Sequence, residues 1–347
     1  MKRLYDFGRL DQLQQASQIQ QKASEQMVWQ QRANYRLQLI KAYFDVLLAD
    51  MQYRVLDEQM AVVYVGLDQS KDRHQVGEIS DVDLAKRNYE YQQILVQRNR
   101  AEWAQRQKRM VLANLLGFPK SLPDQLKLPD FTLLHKAIVQ LPEVDQLIQL
   151  GLQRSPELLA LQKQVAAQQA RVAAAKAQKY PELYAEAWVG ALSGHPDLYE
   201  GHWRVDIGLV APLYDAGLRQ GRMDKESAGL HQAIAQLQAK EQQLRNRIAE
   251  CYFQLQVSQA KLKQAQAFGD YAELYLDLSR GLYEWEEKTD LGDAMVRLSQ
   301  ADYQRLQTLL QMALDWTDLM ILLGFEPSPQ WVTAEMQQLL QMALSEK

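Results

Sequence analysis

The side chains best suited to catalysis or metal binding are scattered through this chain. His74, His135, His195, His202 and His231 fall at no metal-ligand spacing. Cys251 is the only cysteine, so neither a disulfide framework nor a thiolate-based metal site can be built within one chain. It falls in the apolar series Leu244, Ile248, Cys251 and Leu255, the setting of a small buried hydrophobe. No nucleophile stands near a base, no glycine-rich loop could cradle a phosphate, and no carboxylate pair has a pocket-forming context. The chain is therefore read as a non-enzyme, with no cofactor and no metal. The polar residues with a definite setting are those at two breaks in otherwise unbroken helical sequence. Gly77, Ser80 and Asp81 stand at the first; Tyr283, Lys288, Thr289, Asp290 and Asp293 stand at the second. Their chemistry is electrostatic: capping, pairing across a turn, and attracting cations by local negative potential.

Very long helices must position those turns. From Arg9 to Gln75 there is no proline and one glycine, Gly66. Leu37, Ile40, Phe44, Leu47 and Met51 form one apolar seam, and Tyr35, Leu39, Ala42 and Val46 form a second. Alternating steps of three and four mark coiled-coil-like packing. Two seams on one helix call for neighbours on both sides, as in a closed ring of helices. At ~1.5 Å per residue the predicted helix is roughly 100 Å long. Gly77 is suited to the C-terminal cap, and Ser80 or Asp81 to the N-cap of a second helix that runs to Leu116.

The plan occurs twice. Leu4-Tyr5-Asp6-Phe7-Gly8 returns as Leu213-Tyr214-Asp215-Ala216-Gly217, with Tyr5 and Tyr214 lying 209 residues apart. Tyr43-Phe44 returns as Tyr252-Phe253 at the same offset, both read as packing anchors, and Leu67 and Ala85 return as Leu276 and Ala294. An inserted residue would rotate everything beyond it by ~100°, so a gapless repeat fits long helical hairpins. The segmentation that follows is a strand end at 1–8, a first hairpin at 9–118, an irregular connector at 119–145 and a helix at 146–180. A β-hairpin at 181–213, a second hairpin at 214–325 and a tail at 326–347 complete it.

Residues 181–213 change period. Trp203, Val205, Ile207 and Leu209 alternate with Arg204, Asp206 and Gly208, and Leu183, Ala185, Ala187 and Val189 alternate in the same way. A strand with one polar and one apolar face suits a β-hairpin of a soluble domain packed on one face. It also suits a membrane barrel, in which Arg204 and Asp206 face a wet lumen and Trp203, Val205, Ile207 and Leu209 face lipid. The alternation alone does not choose the barrel; the very long helices beside it favour it. No apolar run reaches the ~18–20 residues of a membrane-spanning helix. The net charge of −4 over 347 residues, without a basic run, gives no nucleic-acid footprint.

Several ordered pieces resemble the TolC-like outer membrane efflux proteins. They are Tyr180-Pro181-Glu182-Leu183, Trp203 to Leu209 leading into Ala211-Pro212-Leu213-Tyr214-Asp215-Ala216-Gly217, the turns at His74-Gln75-Val76-Gly77 and Tyr283-Glu284-Trp285-Glu286, and the endings Leu115-Leu116-Gly117 and Leu322-Leu323-Gly324. The resemblance implies a mainly α fold, with helical hairpins in tandem forming the α-barrel of a homotrimer and a β-hairpin joining an outer-membrane β-barrel. It implies a passive conduit for tripartite efflux or type I secretion, embedded in outer-membrane lipid with a periplasmic extension. A periplasmic adaptor and an inner-membrane pump would be its partners. It also implies that the turns form a gate and a docking surface: Tyr283 and Lys288 resemble a gate tyrosine and basic residue, with Asp81 as partner, while Asp290 and Asp293 line the entrance. A metal shared by His195 and His202 across a trimer axis is weighed against a solvated loop, and the loop is preferred.

About 70 residues before the second copy have no counterpart before Asp6, and no signal peptide is read in the opening residues. The expectation is a chain that starts partway through its first repeat, with about two full strands, and that as it stands is inactive as a channel. The alternative from another class is a soluble coiled-coil scaffold.

Overall fold

The computed structural model describes residues 2–117, 122–189, 203–211, 213–285 and 291–327. Along the chain lie β1 (Lys2–Tyr5), α1 (Arg9–Gln75), α2 (Asp81–Leu116), α3 (Thr132–Val139), α4 (Val144–Arg154) and α5 (Pro156–Ala177). They are followed by β2 (Glu182–Val189), β3 (Trp203–Val210), α6 (Leu218–Glu284) and α7 (Leu291–Leu322). Two compact units share them: Met1–Gln31 with Leu150–Asn246, and Arg32–Gln149 with Arg247–Lys347.

The duplication is built into the backbone. α1 and α6 are both 67 residues long and begin and end at equivalent positions of the repeat. Each is launched by the same turn. Phe7 and Ala216 adopt φ of 55° and 51°, and Gly8 and Gly217 adopt 78° and 86°. A left-handed φ at a non-glycine residue is uncommon and needs local support. The support is an aspartate: Asp6 Oδ2 accepts the Leu10 N–H at 3.0 Å, and Asp215 Oδ2 accepts the Arg219 N–H at 3.0 Å. These bonds satisfy helix-start donors that have no intrahelical partner. α1 ends in a Schellman motif, with Glu78 N–H donating to Arg73 O at 2.9 Å around Gly77 at φ 77°. α7 ends likewise, Phe325 N–H donating to Met320 O at 2.9 Å around Gly324.

In the first unit β1, β2 and β3 form an antiparallel sheet in that order. Arg9 of α1 donates to Glu182 Oε1 at 2.7 Å, tying the helix start to the strand start. α5 packs along α6 through Lys240–Glu157 at 2.6 Å and Gln168–Glu226 at 2.7 Å. Its buried face holds Ala160, Ala167, Ala170, Ala174 and Ala175, whose small side chains let a neighbouring helix approach closely.

In the second unit, side-chain contacts run from α2 to α1, from α1 to α7 and from α7 to α6. Lys108–Asp45 at 2.7 Å, Arg109–Asp50 at 2.6 Å and Arg98–Asp57 at 2.9 Å form a charged ladder between α2 and α1. Ser299 bonds to Glu58 between α7 and α1. Arg247–Asp318 at 2.6 Å and the Arg297 guanidinium over Tyr275 link α6 and α7. The core repeats as the sequence does. Ala42, Val46, Ala49 and Leu67 are buried on α1, and their equivalents Cys251, Leu255, Ser258 and Leu276 are buried on α6. Cys251 is thus a core residue, and burial pushes its thiol up to about 12.

Three expectations are corrected. The connector is not irregular throughout: Thr132–Val139 is a helix that buries Leu134 and Ile138, because apolar residues four apart give it a face to bury. The segment 146–180 is two helices, α4 and α5, because Pro156 cannot continue α4 and instead occupies the first turn of α5. The aromatic pairs differ: Phe44 is buried against Phe131 of the connector, whereas Phe253 is 59% exposed. The Leu192–Asp197 loop, His195, His202 and most of the 326–347 tail lie outside the described residues.

Val46 and Leu255 are both fully buried. Leu255→Ala is expected to destabilise by ~2–5 kcal/mol and Val46→Ala by less. Thermal unfolding of the purified protein checks this as a lower midpoint, larger in shift for Leu255→Ala.

Candidate functional site

Two regions carry the polar candidates. The first is the sheet. β2 and β3 pair in register from Glu182↔Val210 to Val189↔Trp203. Partners share a face, so period two sorts every side chain. On β2 and β3, Leu183, Ala185, Ala187, Val189, Trp203, Val205, Ile207 and Leu209 make one apolar face, and β1 adds Lys2 at its edge, opposite Ala185. The other carries Glu182, Tyr184, Glu186, Trp188, Arg204, Asp206 and Gly208, with Arg3 of β1 opposite Tyr184. Arg204 Nε donates to Asp206 Oδ2 at 2.6 Å on this face. The apolar face is bare: Val189 is 83% exposed, Trp203 73% and Ile207 72%. On the polar face the Tyr184 ring lies over Gly208, where an added Cβ would fall 2.4 Å from ring atoms. An aromatic ring covering a strand glycine helps fix register.

The second region is the hairpin turns. Gly77 takes the left-handed φ that the Schellman turn needs. Ser80 is the N-cap of α2: its Oγ accepts the Asp83 N–H at 3.1 Å, and Asp83 Oδ2 accepts the Ser80 N–H at 3.4 Å, closing a capping box. The Ser80 hydroxyl and backbone hold the Asp83 carboxyl below the usual carboxylate range. The Asp81 carboxylate meets His74 Nε2 at 2.6 Å within its own turn, because the chain reversal sets the last turn of α1 against the first residue of α2. Arg73–Glu78 at 3.0 Å braces the same turn.

Tyr283 is exposed, next to the end of α6, and its hydroxyl has no hydrogen bond among the described residues. Lys288, Thr289 and Asp290 lie outside the described residues. Asp293 sits in the first turn of α7, where the helix dipole favours an anion. It borders a cavity of about 600 Å³ together with Val62 and Arg73 of α1 and Arg87 and Glu90 of α2. No cluster of metal ligands occurs among the described residues, and no helix among them is long and apolar enough to cross a membrane.

Sequence reasoning missed the two edge seams of the second unit. Val82, Tyr89, Val96, Trp103 and Met110 recur at every seventh residue of α2, and all are exposed. Phe253, Val257, Tyr271, Leu274 and Leu278 lie on a three-four seam of α6, Trp285 follows just past its end, and all are exposed as well. The heptad spacing on α2 is a signal in the sequence itself. The His74–Asp81 and Arg9–Glu182 pairs had no sequence signal.

Duplicated long hairpins joined to a two-faced sheet define the TolC type of fold, an α-barrel with strands for an outer-membrane β-barrel. The chain belongs to the outer membrane efflux protein family, whose model matches residues 147–325. It is similar in structure to the outer membrane channel CmeC of Campylobacter jejuni, with a TM-score of 0.74 at 17% identity over 98% of this chain and 72% of that one. It is similar to the outer membrane protein VceC of Vibrio cholerae, at 0.68 and 19% over 92% and 77%. It also resembles the open state of the MtrE outer membrane channel of Neisseria gonorrhoeae, at 0.69 and 18% over 94% and 74%.

Two outcomes follow from this geometry. Gly208→Ala forces the Tyr184 ring aside and is expected to lower the unfolding temperature, while Tyr184→Ala in the same chain relieves the clash; a double-mutant cycle on unfolding midpoints reads the coupling. Ser80→Ala returns the Asp83 carboxyl toward its ordinary value. Because the folded-state value is depressed, the stability the cap contributes is complete above the ordinary carboxylate pKa and lost as pH falls through the lowered one. A carboxyl NMR titration of Asp83 with and without Ser80 measures the shift.

Proposed function

We propose that the chain is a subunit of a passive outer-membrane conduit that serves a tripartite efflux or type I secretion system and catalyses no reaction itself. The observation that carries this is the sheet: on β2 and β3 one face holds eight apolar side chains, with Lys2 of β1 at its edge, and the opposite face carries Glu182, Glu186, Arg204 and Asp206. A soluble protein rarely leaves so large an apolar face bare. In a bilayer that face meets lipid, and the face bearing Arg204 and Asp206 meets the lumen.

The subunit works as a homotrimer. Among the described residues β1 and β3 are each hydrogen-bonded to a strand on one side only, and strands in lipid require a partner on both. The second unit tells the same story in helices. α2 and α6 are the outer members of the contact series, and each presents an exposed heptad seam, so the α2 edge of one copy is suited to the α6 edge of the next.

At the turns, Tyr283 and Lys288, with Asp81 as their partner, close the entrance. Asp290 and Asp293 line it and draw cations to it, and the tips shaped by Gly77, Ser80 and Thr289 dock a periplasmic adaptor that connects to an inner-membrane pump. The His74–Asp81 contact supports a role for Asp81 in bracing that tip before any partner arrives.

Cell fractionation of a Val205→Asp, Ile207→Asp chain tests the membrane placement. Charge on the lipid face is destabilising near the midplane, so the protein is expected to disappear from the outer-membrane fraction, while an Arg204→Ala, Asp206→Ala chain remains there. Retention of the doubly charged chain at the unsubstituted level contradicts the reading.

A further inference from the structure

We propose that a cavity in the first unit binds a phosphate anion, presented by the headgroup of an anionic lipid at the membrane surface. The cavity, of about 200 Å³, lies where α1, α5 and α6 meet. Its floor is the buried Ala174 and Ala175, with the exposed Leu13 at its apolar edge, and its rim carries the exposed cations Arg171, Arg222 and Lys225. None of these three cations forms an ion pair among the described residues; Arg171 touches only the Gln168 amide oxygen, at 3.4 Å. One carboxylate also borders the cavity, Glu226, and it is engaged by the Gln168 amide nitrogen at 2.7 Å. Elsewhere in the unit, cations that bridge elements have acidic partners, as Arg9 has Glu182 and Lys240 has Glu157. Three positive charges against one engaged carboxylate leave the cavity cationic. Arginine forks and a lysine point charge suit phosphate oxygens.

Its place in the chain selects the source of that phosphate. Gln178, on the cavity wall, lies four residues before β2 starts at Glu182, and Arg222 and Lys225 lie in the first turns of α6. Tyr5, Phe7 and Tyr180, with ring centroids 4.9 and 5.0 Å apart in sequence, are exposed at the junction of sheet and helices. Exposed aromatics at that level mark a membrane–water interface. Arg171 precedes Tyr180 by nine residues, roughly 13 Å along a helix, and long cationic side chains extend toward headgroups. The apolar floor suits the glycerol and first methylenes of a lipid rather than a free ion. The inference rests on the membrane placement of the sheet proposed above.

The test uses the purified full chain with vesicles of phosphatidylcholine alone or with one third phosphatidylglycerol, and separately with inorganic phosphate. Co-flotation is read first; a chain that enters neither vesicle refutes the membrane placement, and this inference with it. Native mass spectrometry of lipid carried out of the bilayer is read second. The unsubstituted chain is expected to retain phosphatidylglycerol at least tenfold over phosphatidylcholine. The Arg171→Gln, Arg222→Gln, Lys225→Gln chain is expected to float equally but lose that preference. The charge-matched Lys22→Gln, Lys163→Gln, Arg245→Gln chain is expected to keep it. Equal retention by the cavity variant, or equal loss by the control, overturns the site. Binding of inorganic phosphate without any preference for phosphatidylglycerol overturns the lipid as its source.

Discussion

A strand in hydrocarbon has no water to bond to, so each of its backbone amides and carbonyls must find a partner in protein. The account of this molecule depends on that constraint. β2 meets it within the chain, bonded to β1 on one side and β3 on the other. β1 and β3 meet it only when something lies beyond them. A sheet whose apolar face is bare and whose edges are unpaired is stable in a bilayer as part of a closed barrel, and identical chains arranged around an axis provide closure without a free edge.

Closure above sets a task for the helices below. α1 and α6 leave the sheet through the same aspartate-supported turn, and they are equal in length. A helix continuing from each side of the sheet must itself join a layer, and the two apolar seams on such a helix are what a layer requires. α1 and α2 are joined by the ion pairs Asp45–Lys108, Asp50–Arg109 and Asp57–Arg98 and by an apolar cluster of Ala42, Val46 and Leu112. α7 buries Leu310, Met312, Ala313, Trp316, Leu319 and Met320. Partly exposed ion pairs contribute little net stability each, whereas each fully buried large apolar side chain contributes ~1.5–3 kcal/mol.

Much of this was legible in the sequence. Periodicity gave the long helices and the strand pair, and the gapless repeat tied them into one fold, because both signals are local and cumulative. Ser80 and Gly77 could be read as punctuation because capping acts over four residues or fewer. What could not be read depends on distance. Phe44 and Phe253 are equivalent in the repeat, yet one is buried by Phe131 of the connector and the other has no such cover. Asp81 meets His74, seven residues back across a chain reversal, and no periodicity signals that contact. Glu182 gathers Arg3 and Arg9 from a segment more than 170 residues away, and no spacing rule reaches that far.

The most direct measurement places a nitroxide label at each position from 203 to 210 in turn, in the assembled protein in lipid, and compares relaxation by dissolved oxygen with relaxation by a water-soluble nickel complex. Lipid favours the first reagent and a wet lumen the second. The account predicts period two: oxygen dominates at 203, 205, 207 and 209, and nickel dominates at 204, 206 and 208. Equal nickel access on both faces would mean that the sheet lies in water, and the conduit reading would be wrong.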